Sequence, residues 1–307
     1  MADRPHTHSH DHAQAPADFG RAFAIGIALN VAFVLVEVIF GFLANSMSLL
    51  ADAGHNLSDV IGLVLAWAAA MMAKRAASPR FTYGLKKAPI LAALGNALLL
   101  LIAVGAIGAE AVRRFWHPSV TEGGTVTIVA AAGILVNGAT ALLFARGSRR
   151  DINVRGAYLH MAADALVSIA VVIAGLAIMA TGLDWIDPAM SLAVAVVILW
   201  GSIGLLKESV WMSLAGVPAG IDVAQVELAL ARLEGVEAVH DLHIWPVSTT
   251  ETALTAHLVM ATASCEPAFL TAVGKTLHDR FKIEHSTLQV ETPEAPDPCR
   301  QAARGAL

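Results

Sequence analysis

Residues 48–73 read SLLADAGHNLSDVIGLVLAWAAAMMA. A run of this length covers about 30 Å of hydrocarbon at about 1.5 Å per residue, so it reads as a transmembrane helix. It nevertheless carries Asp52, His55 and Asp59. Ionisable side chains are costly inside a bilayer, and each one there is a functional candidate. Asp59 stands 11 residues into the run, which is about 16 Å along a helix and close to the bilayer midplane.

A second run, 154–180, repeats the signature. HNLSD at 55–59 is matched by HMAAD at 160–164, both of the form H-x-x-x-D. A spacing of four places each His and its Asp on one helix face. Four further apolar runs occupy 21–43, 88–112, 124–145 and 186–206. The composition agrees: 56% of the 307 residues are hydrophobic and 15% charged, with mean hydropathy +0.64. Average soluble proteins carry about 25% charge, so a wholly soluble enzyme is excluded. The first run is not a cleaved signal, because it is too long and contains Glu37. Two cysteines, Cys265 and Cys299, make no disulfide framework, and a net charge of −5 leaves no nucleic-acid footprint.

The fold class expected is an all-α domain of six transmembrane helices followed by a small α+β domain of ferredoxin-like type. Charge divides the chain at the same place. Residues 1–214 hold 14 basic and 13 acidic side chains, and residues 215–307 hold 6 and 12. The expected divisions are a His-rich disordered head (1–20), the six-span domain (21–214), a metal-binding cytoplasmic domain (215–292) and a flexible tail (293–307). In the third division, 222–233 has helical period, VEAVHDLHIWPV and TALTAHLVM alternate as strands, 267–282 reads as helix and STLQVE as a last strand.

Basic residues fix the expected orientation. Lys74, Arg75, Arg80, Lys86 and Lys87 lie between spans 2 and 3, and Arg146, Arg149, Arg150 and Arg155 between spans 4 and 5. The opposite side has only Arg113 and Arg114, with Glu122, Asp184 and Asp187. Both termini are therefore expected in the cytoplasm. Spans 2 and 5 then run antiparallel, and each His sits level with the other helix's Asp. His55, Asp59, His160 and Asp164 form a four-ligand set suited to zinc and accepted by cobalt or cadmium. Asp52, near the outer end of its span, reads as facing water or capping a helix start. Asn30, Asn96, Asn137 and Glu37 read as interhelical hydrogen-bonding groups, with a water path as the other reading of Glu37.

ANSMSLLADAGHNLSD, FTYGLKKAPILAAL, NVRGAYLHMAADAL and VHDLHIWPV together resemble the cation diffusion facilitator family, in its bacterial zinc, cadmium and cobalt efflux branch. The resemblance covers about residues 20–292. It implies a homodimer in the inner membrane that exchanges zinc for protons, with His55, Asp59, His160 and Asp164 at the transport site. It also implies that His240, His257 and Glu291 bind cytosolic zinc as a structural or regulatory ligand, with His285 nearby. His243 and His278 read as ordinary surface or core positions, and Cys265 as inert. Two departures stand out. The link AKRAASPRFTYGLKKAP has the Asp and His of no second metal site, and Pro89 stands where the family often has Glu. His6, His8, His10 and His12 read as an accessory head that holds metal loosely, with an accident of composition as the other reading.

The function expected is efflux of a divalent metal, zinc first, by proton antiport and with no organic cofactor. Metal binding needs neutral His and ionised Asp, and so expels protons. An intramembrane metalloenzyme is the first rival. It would need an open metal position and a general base, and H-E-x-x-H is missing. A membrane metal sensor is the second, and six spans with a midplane site are excessive for it.

Overall fold

The computed structural model describes residues 17–145, 152–261 and 267–293. The His-rich head, Arg146, Arg149, Arg150, Cys265 and Cys299 lie outside the described residues. Along the chain come α1 (Ala17–Leu43), α2 (Met47–Ala73), α3 (Ala88–Trp116), α4 (Gly123–Ala145), α5 (Ile152–Thr181) and α6 (Ile186–Ser213). After them follow α7 (Val223–Ala231), β1 (Val236–Pro246), β2 (Thr252–Met260), α8 (Pro267–Phe281) and β3 (His285–Glu291).

Each of the six long helices covers one apolar run. Among the described residues, five are long and apolar enough to span a membrane: α2, α3, α4, α6 and Tyr158–Thr181 of α5. In α1 the apolar stretch found among the described side chains is Ala28–Leu43. Only 17% to 39% of the apolar stretch of each of the five is buried. Leu63, Trp67, Ile128, Leu135, Leu142 and Trp200 all stand outward. Water would not tolerate so large an apolar surface, and lipid is its natural solvent. The chain is a multi-pass membrane protein.

The chain divides into two compact units, Met1–Val60 with Ala103–Ile198, and Ile61–Ile102 with Leu199–Leu307. In the first, α4 packs along α5 and against α1. Small residues permit the close approach of α4 and α5. A Cβ at Gly175 would lie 2.5 Å from Thr127 Oγ1, and one at Gly123 would lie 2.8 Å from the Gly175 carbonyl. Without an aqueous driving force, such backbone proximity is a main source of helix association in lipid. The start of α2 is capped by Ser46, whose Oγ accepts from Leu49 N at 3.3 Å.

In the second unit, Asp222 caps α7 by accepting from Ala224 N at 2.9 Å. The three strands form one sheet in the order β1-β2-β3, antiparallel between β1 and β2 and parallel between β2 and β3. A parallel pair needs a crossover, and α8 supplies it. Leu254, Ala256, Leu258 and Met260 of β2 pack with Val226 and Leu230 of α7 and Val273 and Leu277 of α8. Alternation puts His257 on the face opposite that core. The α-β-β-α-β order expected of residues 222–291 is the order found. Lys86 of the α2–α3 link pairs with Glu251, and the Tyr83 and His285 rings lie 6.4 Å apart, edge to face.

Candidate metal site

α2 and α5 bring both H-x-x-x-D pairs to one place. His160 Nε2 lies 3.0 Å from Asp59 Oδ2 and 3.6 Å from Asp164 Oδ2. His55 Nε2 lies 3.7 Å from Asp59 Oδ2 and 3.7 Å from Asp164 Oδ1. The imidazole rings meet edge to face with centroids 5.9 Å apart. His55, Asp59 and His160 offer donor atoms all within 4.8 Å of one another. Asp164 closes the group from the buried side, being 2% exposed. Its Oδ2, like His55 Nδ1, makes no hydrogen bond among the described residues. Two imidazoles and two carboxylates converge without enough donors of their own, and a divalent cation suits that deficit.

Around this group the structure departs from the sequence expectations for Asp52 and Asn137, while Glu37 makes the interhelical hydrogen bond expected of it. Asp52 neither faces water nor starts a helix: it is 1% exposed, more than a turn inside α2, which begins at Met47. Position along a span does not determine burial, because neighbouring helices cover α2 there. Glu37 is fully buried and its Oε2 accepts from Asn56 Nδ2 at 3.1 Å, tying α1 to α2 beside His55. Asn137 is buried, yet its amide makes no hydrogen bond among the described residues, so the interhelical bond expected of it is not formed.

A second cluster lies on the tail sheet. His240 and His257 are cross-strand partners, with rings 5.0 Å apart. Glu291 reaches both, with Oε2 3.1 Å from His240 Nε2 and Oε1 2.8 Å from His257 Nδ1. The three offer donors within 4.8 Å of one another. Asp241 joins them, with Oδ2 3.6 Å from His257 Nε2. Strict alternation would turn Asp241 away from His240. The ladder is irregular between His240 and His243, and Asp241 has φ 49°, so the backbone swings it back. No periodicity in the sequence signals that bulge.

His285 is not near this cluster. It starts β3 while Glu291 ends it, and its Nε2 lies 3.3 Å from Glu251 Oε2. A strand extends about 3.3 Å per residue, which holds the two ends far apart. His243 is partly exposed and pairs with Asp241 at 2.9 Å, and His278 is exposed in the last turn of α8. Beside Lys86, the Glu251 carboxyl is held below its ordinary range, with His285 adding to the effect.

Residues 23–212 match the cation efflux transmembrane domain and residues 218–293 the cytoplasmic domain of cation efflux proteins. The chain is similar to the cation efflux system protein CzcD of Alcaligenes sp. (strain CT14), at 36% identity over 96% of this chain and 92% of that protein. It is also similar to a cadmium, cobalt and zinc/H(+)-K(+) antiporter of Bacillus velezensis, at 36% identity over 92% of each. The zinc transporter ZitB of Escherichia coli is 36% identical over 93% of this chain and 92% of its own length.

Proposed function

Because the chain belongs to the cation efflux family, whose members are transporters rather than enzymes, we propose that it exports zinc in exchange for protons, carrying the metal at His55, Asp59, His160 and Asp164. The observation that carries this reading is the convergence of both H-x-x-x-D pairs between α2 and α5, with Asp164 almost wholly buried. Imidazole with carboxylate favours zinc, cadmium and cobalt over harder ions. Zinc entering the site meets acidic and imidazole groups whose protons it must displace, and this exchange couples metal flux to the proton gradient. The B. velezensis relative is named as an antiporter and the E. coli relative as a zinc transporter, which supports both halves of the reading.

The proposed arrangement is a homodimer in the inner membrane. Six spans, with α1 as the first, put both termini in the cytoplasm. Residues 1–20 form the head, 21–214 the transport domain, 215–292 the cytoplasmic domain and 293–307 the tail. His240, His257 and Glu291 hold a resident cytosolic zinc. The donors fit such an ion: two imidazoles and a carboxylate are gathered, and His240 Nδ1 makes no hydrogen bond among the described residues. When bound, that zinc would tie β1, β2 and β3 together on the face opposite α7 and α8.

The test is flux. Purified protein in liposomes holding a zinc dye should take up zinc when a pH gradient is imposed and stop when a protonophore collapses it. Zinc uptake indifferent to the gradient would reject antiport, and its absence under all gradients would reject transport.

A further inference from the structure

Asp187 stands by sequence at the outer end of the sixth apolar run, among the charges assigned to the outer side, yet it is fully buried in the first turn of α6. Its carboxylate gathers the start of α2. Met47 N donates to Oδ2 at 2.6 Å, and Ser48 N donates to Oδ1 at 3.2 Å. Ser46 Oγ donates to Oδ1 at 2.7 Å, and Ser48 Oγ does so at 2.6 Å. Met47 and Ser48 are the first two residues of α2, whose N–H groups have no partner within the helix. A carboxylate there also meets the positive end of the helix dipole. From the other side Arg114 lies 4.0 Å from Asp187 Oδ2 and donates to Asn45 O at 2.6 Å and Asn45 Oδ1 at 2.8 Å. Asn45 adopts φ 52°, which turns α1 into α2. The first turn of α2 is thus gripped from α3 and α6 together.

We infer that Asp187 is a positioning residue for the transported metal: by fixing the height and rotation of α2 at its first turn, it sets where His55 and Asp59 present their donor atoms. This rests on the reading of those residues as part of the transport site. His55 follows Met47 by eight residues, or about 12 Å of continuous helix. A slip of α2 by a single residue would move His55 by about 1.5 Å and turn it by about 100°. Metal coordination does not tolerate displacement on that scale. Among the described residues Asp187 bonds to Ser46, Met47 and Ser48 and faces Arg114, none of them a metal donor, so its effect passes through α2.

The experiment measures initial rates of zinc and cadmium uptake in proteoliposomes for the full chain, Asp187→Asn, Ser48→Ala and Asp59→Ala. Asp187→Asn keeps the shape but loses the charge and half of the acceptor capacity. Its zinc KM should rise about tenfold, the scale on which supporting residues affect metal affinity, and its zinc-to-cadmium ratio should change. Its maximal rate should stay within about twofold of wild type, because the ligands remain. Ser48→Ala removes one of the four bonds and should shift KM and the ratio the same way by less. Wild-type KM and metal ratio in both variants would overturn the inference, as would an equal loss of maximal rate for both metals at unchanged KM. If Asp187→Asn does not fold, Ser48→Ala decides alone by the same criteria. Asp59→Ala separates the two readings: normal zinc uptake in it defeats the transport-site assignment, whereas its silence beside an unaltered Asp187→Asn defeats only the positioning role.

Discussion

His160 Nε2 lies 3.0 Å from Asp59 Oδ2 across 101 residues of sequence. His55 Nε2 makes the reciprocal approach to Asp164 Oδ1 at 3.7 Å. Each imidazole thus faces the carboxylate of the other helix as well as its own. Two helices bearing the same H-x-x-x-D pair produce this crossed arrangement: the donors of His55, Asp59 and His160 lie within 4.8 Å of one another, and Asp164 approaches both imidazoles.

Asp164→Ala leaves three donors and removes the most buried carboxylate of the group. Even an outer-shell partner is worth about 10–100-fold in metal affinity, so the loss here should be at least a hundredfold. Zinc titration by calorimetry, in a His257→Ala background that silences the tail, should show one binding event disappear while the melting temperature of the metal-free protein is kept. Unchanged affinity would remove Asp164 from the site.

His55→Asp exchanges an imidazole for a harder oxygen donor. Imidazole suits zinc, and carboxylate suits manganese. The variant should lose preference for zinc over manganese, read as competitive uptake of zinc, cadmium and manganese. A metal ranking identical to wild type would mean that His55 does not touch the metal.

The fold was legible where periodicity carries it. Apolar runs marked the six long helices, and a spacing of four within two of them marked His55, Asp59, His160 and Asp164. The tail's strands were visible because Leu254, Ala256 and Leu258 alternate with residues facing the other way. What escaped notice depends on tertiary partners. Asp52 and Asp187 stand near span ends, where hydropathy assigns charge to water, but neighbouring helices cover both. Asp187 is buried because Ser46, Ser48 and the α2 N-terminus satisfy it, and that set is assembled only by folding. Asp241 escaped because a bulge breaks the alternation that a strand reading assumes.

His257→Ala should cost the chain one equivalent of tightly held zinc. The residue bridges Glu291 and Asp241 at the centre of the tail cluster. Metal analysis after dialysis should show one zinc fewer per chain than wild type, while uptake at saturating zinc persists. An unchanged zinc content would reject the tail site.

Glu251→Gln tests the seam between the α2–α3 link and the tail domain. Its carboxyl is held below 4.5, chiefly by Lys86. A lowered value means that the ionised form stabilises the fold above about pH 4.5, and that this contribution fades as pH falls through the lowered value. Both side chains are 31% exposed, so solvent limits the gain to about 0.5–1 kcal/mol. Melting curves should place Glu251→Gln below wild type at pH 7, with the gap closing as pH falls through the lowered value. A gap that persists in acid would assign the difference to packing.

The most direct measurement compares wild type with Asp59→Ala, reconstituted at equal amount and orientation, for zinc uptake under an imposed pH gradient. Asp59 belongs to the group through both imidazoles, at 3.0 and 3.7 Å. With the quartet carrying the metal, wild type should show gradient-driven uptake and the variant no more uptake than protein-free liposomes. Gradient-driven uptake in the variant within about twofold of wild type would contradict it.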